Sequence, residues 1–332
     1  MTAASHHRLD GLEPDNLLAF LALLGLIRAL EASDRGRDEG DALRPRAAWD
    51  IDAPPLRPRL FLARVVAQEA LVERALGGID SLIPAYDFGG QKDLNYSPRE
   101  CRAMLKNAAT GAQRNDREHV DLLSALMSDA AIKEEKKDPV IDPTPLCLLF
   151  GQGHQHFLDR LFSVPRQPYL NRRKASADGA AARCLDEALF APWHRSDESF
   201  SFRWDPEEDV RYALMAGDPT DSAFKSGTQH GANRLAALGL SVLTLAPEVR
   251  AGRVRPSIIG GRPGRDGFSF AWPVWREPAT LAAIRAMLSH PRLHEANGLV
   301  HLGVDHVLIA RRISVGKFMN FSRARALDGS WP

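Results

Sequence analysis

The residues equipped to engage a ligand are chiefly arginines and lysines. Arg172, Arg173 and Lys174 sit beside Tyr169 and Asn171, and Arg311, Arg312, Lys317, Asn320, Arg323 and Arg325 surround Phe318 and Phe321. Cationic side chains bind backbone phosphates, amides bond to sugar and base edges, and aromatic rings stack on unpaired bases. Arg234, within GANRLAALGL, completes this candidate nucleic-acid-binding set. If FMNFSRARAL is a strand, alternation puts Met319, Phe321, Arg323 and Arg325 on one face and Phe318, Asn320 and Ser322 on the other. The competing reading makes the phenylalanines core and the arginines a solvated face. From Arg250 to the end there are thirteen Arg and Lys against five Asp and Glu, although the whole chain carries only +1. That asymmetry suggests a basic face meeting an anion; an Arg-rich surface with no partner is the alternative.

Catalytic patterns are weaker. His154 and His156 form an HxH pair, but no further ligand pair stands at a metal-site spacing. His230, in TQHGANR, lacks a neighbouring nucleophile or orienting acid, and neither GxSxG nor HExxH occurs. IIGGRPGRDG lacks the GxxxxGK[ST] pattern of a phosphate loop and reads as a hairpin turn. FGGQKDLN could place Gln91, Lys92 and Asn95 on a ligand, or simply connect two elements. Cys101, Cys147 and Cys184 are odd in number and far apart, which fits buried thiols in a reduced, cytoplasmic chain. No cofactor or metal is expected. A nuclease using His154, His156, His230 or an unrecognised acid pair remains the alternative to a non-enzymatic binding protein.

These side chains need a scaffold. LEPDNLLAFLALLGLIRALE holds an uncharged run of eleven residues, Leu17 to Ile27. A membrane span needs about 20, and no cleavage site follows as in a signal peptide. Asp15 or Asn16 can cap the run, which therefore reads as a helix buried in a large core, with Gly25 marking close approach of another backbone. AAWDIDAPPLRPRL suggests a short strand stopped by prolines, and LFLARVVAQEALVERALGGI a helix capped at Gly77-Gly78. Ser97-Pro98-Arg99-Glu100 predicts a capping box. DREHVDLLSALMSDAAIK, AAARCLDEALF, PEEDVRYALMAG, HGANRLAALGL and PATLAAIRAML are expected as helices, the last starting on Pro278. SFSFRWD, SVLTL, GFSFAWPVW (stopped at Pro273) and the C-terminal segment are expected as strands. Without regular βαβ alternation the fold class is α+β, mixed helices and short antiparallel strands around the apolar N-terminal helix. A helix-rich region, 1–138, precedes an α+β region with a basic face, 139–332, with one continuous domain as the alternative. The basic segment RQPYLNRRKASADG is expected to be a long exposed loop.

LDGLEPDNLLAFLALLGLIRAL resembles the start of CRISPR-associated proteins of type I-U (I-G) systems, in the large-subunit-like group. Those begin with a short strand, a Pro-containing turn and an apolar helix bearing LxALGLxR. FRWDPEEDVRYALMAGDP, GANRLAALGL and FAWPVW with the later RRI are similar to segments of the group's smaller members. The resemblance covers about the first thirty residues and much of 200–325, while 35–165 resembles nothing. It implies a subunit of a multisubunit RNA-guided complex, with other effector subunits, guide RNA and target DNA as partners, the protospacer-adjacent motif included. No membrane partner is expected.

Overall fold

The structure, a computed structural model, describes residues 5–113, 117–133, 138–149, 156–168, 179–197, 200–208, 227–250, 252–264, 267–315 and 318–330. Eight α-helices and twelve antiparallel strands occur among them, an α+β fold. Helix α1 (Leu17–Asp34) lies at its centre. Asn16 caps it, its side-chain oxygen accepting from the Ala19 N–H at 3.3 Å. Every residue from Leu17 to Leu30 is buried, so the run has no polar face. Burial contributes roughly 1.5–3 kcal/mol per large apolar side chain. The one charge, Arg28, is held by Glu118 at 2.5 Å and Asp121 at 3.5 Å. Among the described residues no helix is long and apolar enough to cross a membrane.

Glycines set the helix contacts. On α1, a Cβ at Gly25 would collide with the Leu235 carbonyl of the helix His230–Leu240, and one at Gly239 with the Leu21 carbonyl. The expected close approach at Gly25 is therefore a reciprocal glycine crossing. Gly77-Gly78 is not a C-cap. Both lie inside α2 (Gln68–Leu82), where Gly78 packs on the Ala29 carbonyl of α1. The remaining helices are α3 (Pro98–Ala112), α4 (Arg117–Leu126), α5 (Phe157–Arg166), α6 (Ala180–Phe190), α7 (His230–Leu240) and α8 (Leu281–Leu288). The capping box of Ser97 and Glu100 opens α3 as expected. Thr280 caps α8, so that helix begins past Pro278.

Strands β1 (Ser5–Arg8), β2 (Arg46–Trp49) and β3 (Pro58–Leu62) form a sheet in the order β1-β3-β2, so PRLFL is a strand and only the part after it is helical. Short ribbons are made by β4 (Ile132–Lys133) with β5 (Val140–Ile141), and by β6 (Glu248–Arg250) with β7 (Arg253–Arg255). The main sheet runs β8 (Gly261–Gly264), β9 (Gly267–Trp275), β10 (Val304–Val315), with β11 (Phe318–Phe321) and β12 (Arg325–Ala326) on the far edge of β10. Its inner face meets α1, where Trp272 stacks on Phe20 with ring centres 5.4 Å apart.

Pro273 does not stop β9. It opposes Val307, whose carbonyl accepts from Leu327 on the opposite side, so the Pro273 nitrogen faces away from β10, past the end of β8. No ladder bond is lost there, as proline in a sheet requires. The described part of SFSFRWD, residues 200–205, is not a strand either. The Phe202 N–H donates to the Asn233 side chain, and the Trp204 carbonyl accepts from Leu18. SVLTL forms turns after α7. One buried apolar cluster takes side chains from Leu9 through Ala326, so a single core runs across position 138. Most of PEEDVRYALMAG and of RQPYLNRRKASADG lies outside the described residues.

Candidate nucleic-acid interface

Register on β10 decides which arginines reach solvent. Leu308 and Ala310 are fully buried opposite Trp272 and Phe270. Side chains alternate along a strand, so Arg311 stands on the outer face, where it is exposed. Its partner on β9 is Ser269, and the partner of Ser269 on β8 is Arg262, also exposed. With strands about 4.8 Å apart, the two arginines flank Ser269 on one face. Ile309 pairs with Arg325, which brings a third exposed cation to that face.

Arg312 shares the inner face with Ala310 but emerges where the core ends. It is half-buried, its Nη1 donates to the Pro145 carbonyl at 3.2 Å, and its guanidinium lies 5.7 Å from the Phe268 ring centre. Burial pulls its pKa down, against the opposing effect of nearby Asp142. Arg312 opens on a cavity of about 590 Å³ that also takes Arg250, Arg253 and Arg255 from the β6–β7 ribbon. The pairings Arg250↔Arg253 and Glu248↔Arg255 place these charges on one face of the ribbon and Val249 and Val254 on the other. Reasoning from the sequence missed Arg250, Arg253, Arg255 and Arg262. The signal was present in VRAGRVR, where arginines alternate on both sides of a glycine turn.

The other expected site residues are placed differently. Arg323 is matched by Glu207 at 2.7 Å, Asp15 at 2.9 Å and Glu13 at 3.0 Å. Burial works against its charge, but hydrogen bonding to Glu207 and the Asp15 charge hold its pKa above the ordinary value. It ties the C-terminal segment to the turn before α1. The expected common face of Phe321, Arg323 and Arg325 is absent because the strand breaks at 322–324. There Ala324 donates to the Asp15 carbonyl, so Phe321 is buried while Arg323 and Arg325 are exposed. The Asn320 amide is committed to the main chain, donating to the Glu208 carbonyl and accepting from the Phe321 N–H.

Arg234 is removed from the surface. It is 3% exposed, its Nε donates to the Pro165 carbonyl, and burial lowers its pKa. Helix α7 is buried on every side, so this arginine cannot meet a phosphate without the helix moving. Arg172, Arg173, Lys174 and Lys317 lie outside the described residues.

His154 also lies outside them, and His156 is paired with Asp93 at 2.8 Å. His230 is fully buried against the Gln167 carbonyl, and burial pushes its pKa down to about 4. Among the described residues no three His, Cys, Asp or Glu side chains gather to hold a metal ion. The three cysteines are buried and unbridged, and burial pushes their thiols up to about 11 for Cys101 and about 12 for Cys147 and Cys184. Two chemically distinct basic features therefore stand out. One is an open face carrying Arg262, Arg311 and Arg325; the other is a half-open cavity bordered by Arg312. No protein-family model matches the chain, and no curated protein sequence matches it at a significant level.

Proposed function

We propose that this protein is a non-enzymatic nucleic-acid-binding subunit of a cytoplasmic CRISPR RNA-guided antiviral effector complex, contacting guide RNA or target DNA. The observation that carries the binding part of this reading is the exposed face of Arg262, Arg311 and Arg325, aligned by strand register on a sheet whose other side is core. A rigid sheet holds cations at fixed spacing, which suits a polyanion. Arg172, Arg173, Lys174 and Lys317, which lie outside the described residues, belong to the proposed binding set on their sequence alone. The assignment to a CRISPR complex rests on the N-terminal and C-terminal sequence resemblance.

Two measurements test the two parts. Affinity for single-stranded RNA or DNA should fall with salt, at roughly 0.7 logarithmic units per phosphate contacted for each logarithmic unit of salt. The triple variant Arg262→Glu, Arg311→Glu, Arg325→Glu should bind more weakly and with a shallower slope. Unchanged affinity in that variant would sink the interface. For the assembly, tagged protein purified from its native host should bring down other effector subunits and a discrete small RNA. Recovery of the chain alone would remove the assignment to a complex.

A further inference from the structure

We propose that the outer face of the β9–β10 sheet holds a single strand of RNA or DNA, not a duplex, with phosphates on Arg262, Arg311 and Arg325 and base faces on Ile309 and Ile313. The inference rests on the nucleic-acid reading above and adds to it the class of strand and a second, apolar kind of contact.

Strand parity brings the two kinds of side chain together. Ile309, Arg311 and Ile313 occupy alternate positions of β10, on the face opposite to buried Leu308 and Ala310. The order is apolar, cationic, apolar, with Cα atoms recurring at about 6.8 Å. Ile313 is 42% exposed and Ile309 half-buried. Arg325 stands beside Ile309 across the pairing of β10 with β12. On the other side β9 offers only small residues. Ser269 opposes Arg311, and Gly267, two positions before it, would place a Cβ no nearer to any neighbour than 3.8 Å from the Arg312 carbonyl. Arg262 follows on β8, about 10 Å from Arg311. The two arginines thus border a low stretch of sheet, with Ile313 next along β10.

This alternation selects a single strand. An unpaired strand presents phosphates and base faces side by side, and bases pack on apolar as well as aromatic side chains. A duplex turns its bases inward and shows their edges only in the grooves, which admit a helix or a two-stranded ribbon but not the flat face of a sheet. Against a duplex the arginines would still meet phosphates, but the isoleucines would lose water to charged backbone and gain no apolar contact. An acidic protein surface is the competing occupant. It would answer the arginines without any response to bases.

The test uses the full chain with fluorescent oligothymidylate, an abasic strand of the same length and charge, and a duplex of that length, read by anisotropy across a salt series. Extrapolation to about 1 M salt removes the counterion contribution and leaves the contacts that do not depend on charge. There oligothymidylate should bind about tenfold more tightly than the abasic strand and the duplex, while the two single strands share one salt slope. Oligouridylate alongside oligothymidylate identifies the strand as RNA or DNA by which binds more tightly. Ile313→Thr keeps a β-branched side chain at an exposed position, so the fold should survive, as a thermal melt will show. It should weaken oligothymidylate several-fold with the slope unchanged, and bring it closer to the abasic strand. Reversing Arg262, Arg311 and Arg325 should instead lower the slope. Equal affinity for the abasic strand, a duplex that binds as tightly at 1 M, or a folded Ile313→Thr protein with unaltered affinity would each overturn the inference. If the arginine reversal still lowers the slope in those cases, the nucleic-acid reading stands and only the base contacts fall. Absence of salt-dependent binding to any of these ligands overturns both, and points to the acidic protein partner.

Discussion

The crossing of α1 with α7 and the basic end of the β9–β10 sheet use their residues in opposite ways. At the crossing both helices are buried all round, and the glycines leave no room even for a methyl group. On β10 the residues divide by parity. Leu308 and Ala310 enter the core, while Arg311, one position on, stands in solvent. A helix buried on every face has nothing to offer a ligand, whereas a sheet covered on one face can stabilise and bind with the same strand. The proposed interface lies at the margin of the sheet, with the helix pair as its support.

The largest effect should come from Gly25→Ala. Alanine normally improves a helix by roughly 1 kcal/mol over glycine, but here its Cβ would meet the Leu235 carbonyl of α7. Backbone cannot yield as a side chain does, so the variant should lose about 3 kcal/mol or more. Gly77→Ala is the matched control: it is exposed in α2 with nothing near the position of a Cβ, and should gain roughly 0.5–1 kcal/mol. Urea denaturation of both variants reads the contrast; equal signs would mean the crossing is looser than described.

His230 gives the helix pair an acid sensitivity. Its folded pKa is about 4 against an ordinary 6.5. Between these values the unfolded chain binds more protons, so stability falls as pH drops. Its share of the loss begins near pH 6.5 and reaches roughly 3 kcal/mol at pH 4. Subtracting the pH–stability curve of His230→Gln from that of the wild type isolates this share, and a flat difference would place the imidazole in a wetter site.

Smaller effects sharpen the contrast within the sheet. Arg323→Ala releases a clamp on three carboxylates, two of them beside α1, and should cost about 1 kcal/mol given that the arginine is partly exposed. Arg311→Ala, with no carboxylate partner among the described residues, should change stability by less than about 0.5 kcal/mol while weakening nucleic-acid binding. Thermal melts alongside binding assays separate the two arginines. If Arg311→Ala destabilised more than Arg323→Ala, the division between clamp and ligand contact would be reversed.

Local signals explain why some elements were legible. The apolar run of α1, its cap at Asn16 and the capping box at Ser97 are short-range physics, decided within a few residues. Strand assignments fared worse, because alternation makes a strand only when a partner is available. Phe202 and Trp204 alternate as a strand would, yet they stack on each other at 4.4 Å while their backbone groups bond to α7 and α1. Gly77-Gly78 has the composition of a helix end, yet the helix runs on through both and Gly78 packs against α1.

The chain itself determined the buried N-terminal helix, the mixed α+β character and the concentration of positive charge after Arg250, since hydrophobicity, capping and charge are properties of the residues in order. Tertiary structure alone decided which of those charges is available. Arg323 is matched by Glu13, an acid 310 positions away, Arg234 is enclosed by packing, and Arg312 meets Arg250, Arg253 and Arg255 only because the sheet and the β6–β7 ribbon converge. The field at a cation is set by what lies within a few ångströms of it, and in a folded chain those neighbours come from segments far apart in sequence.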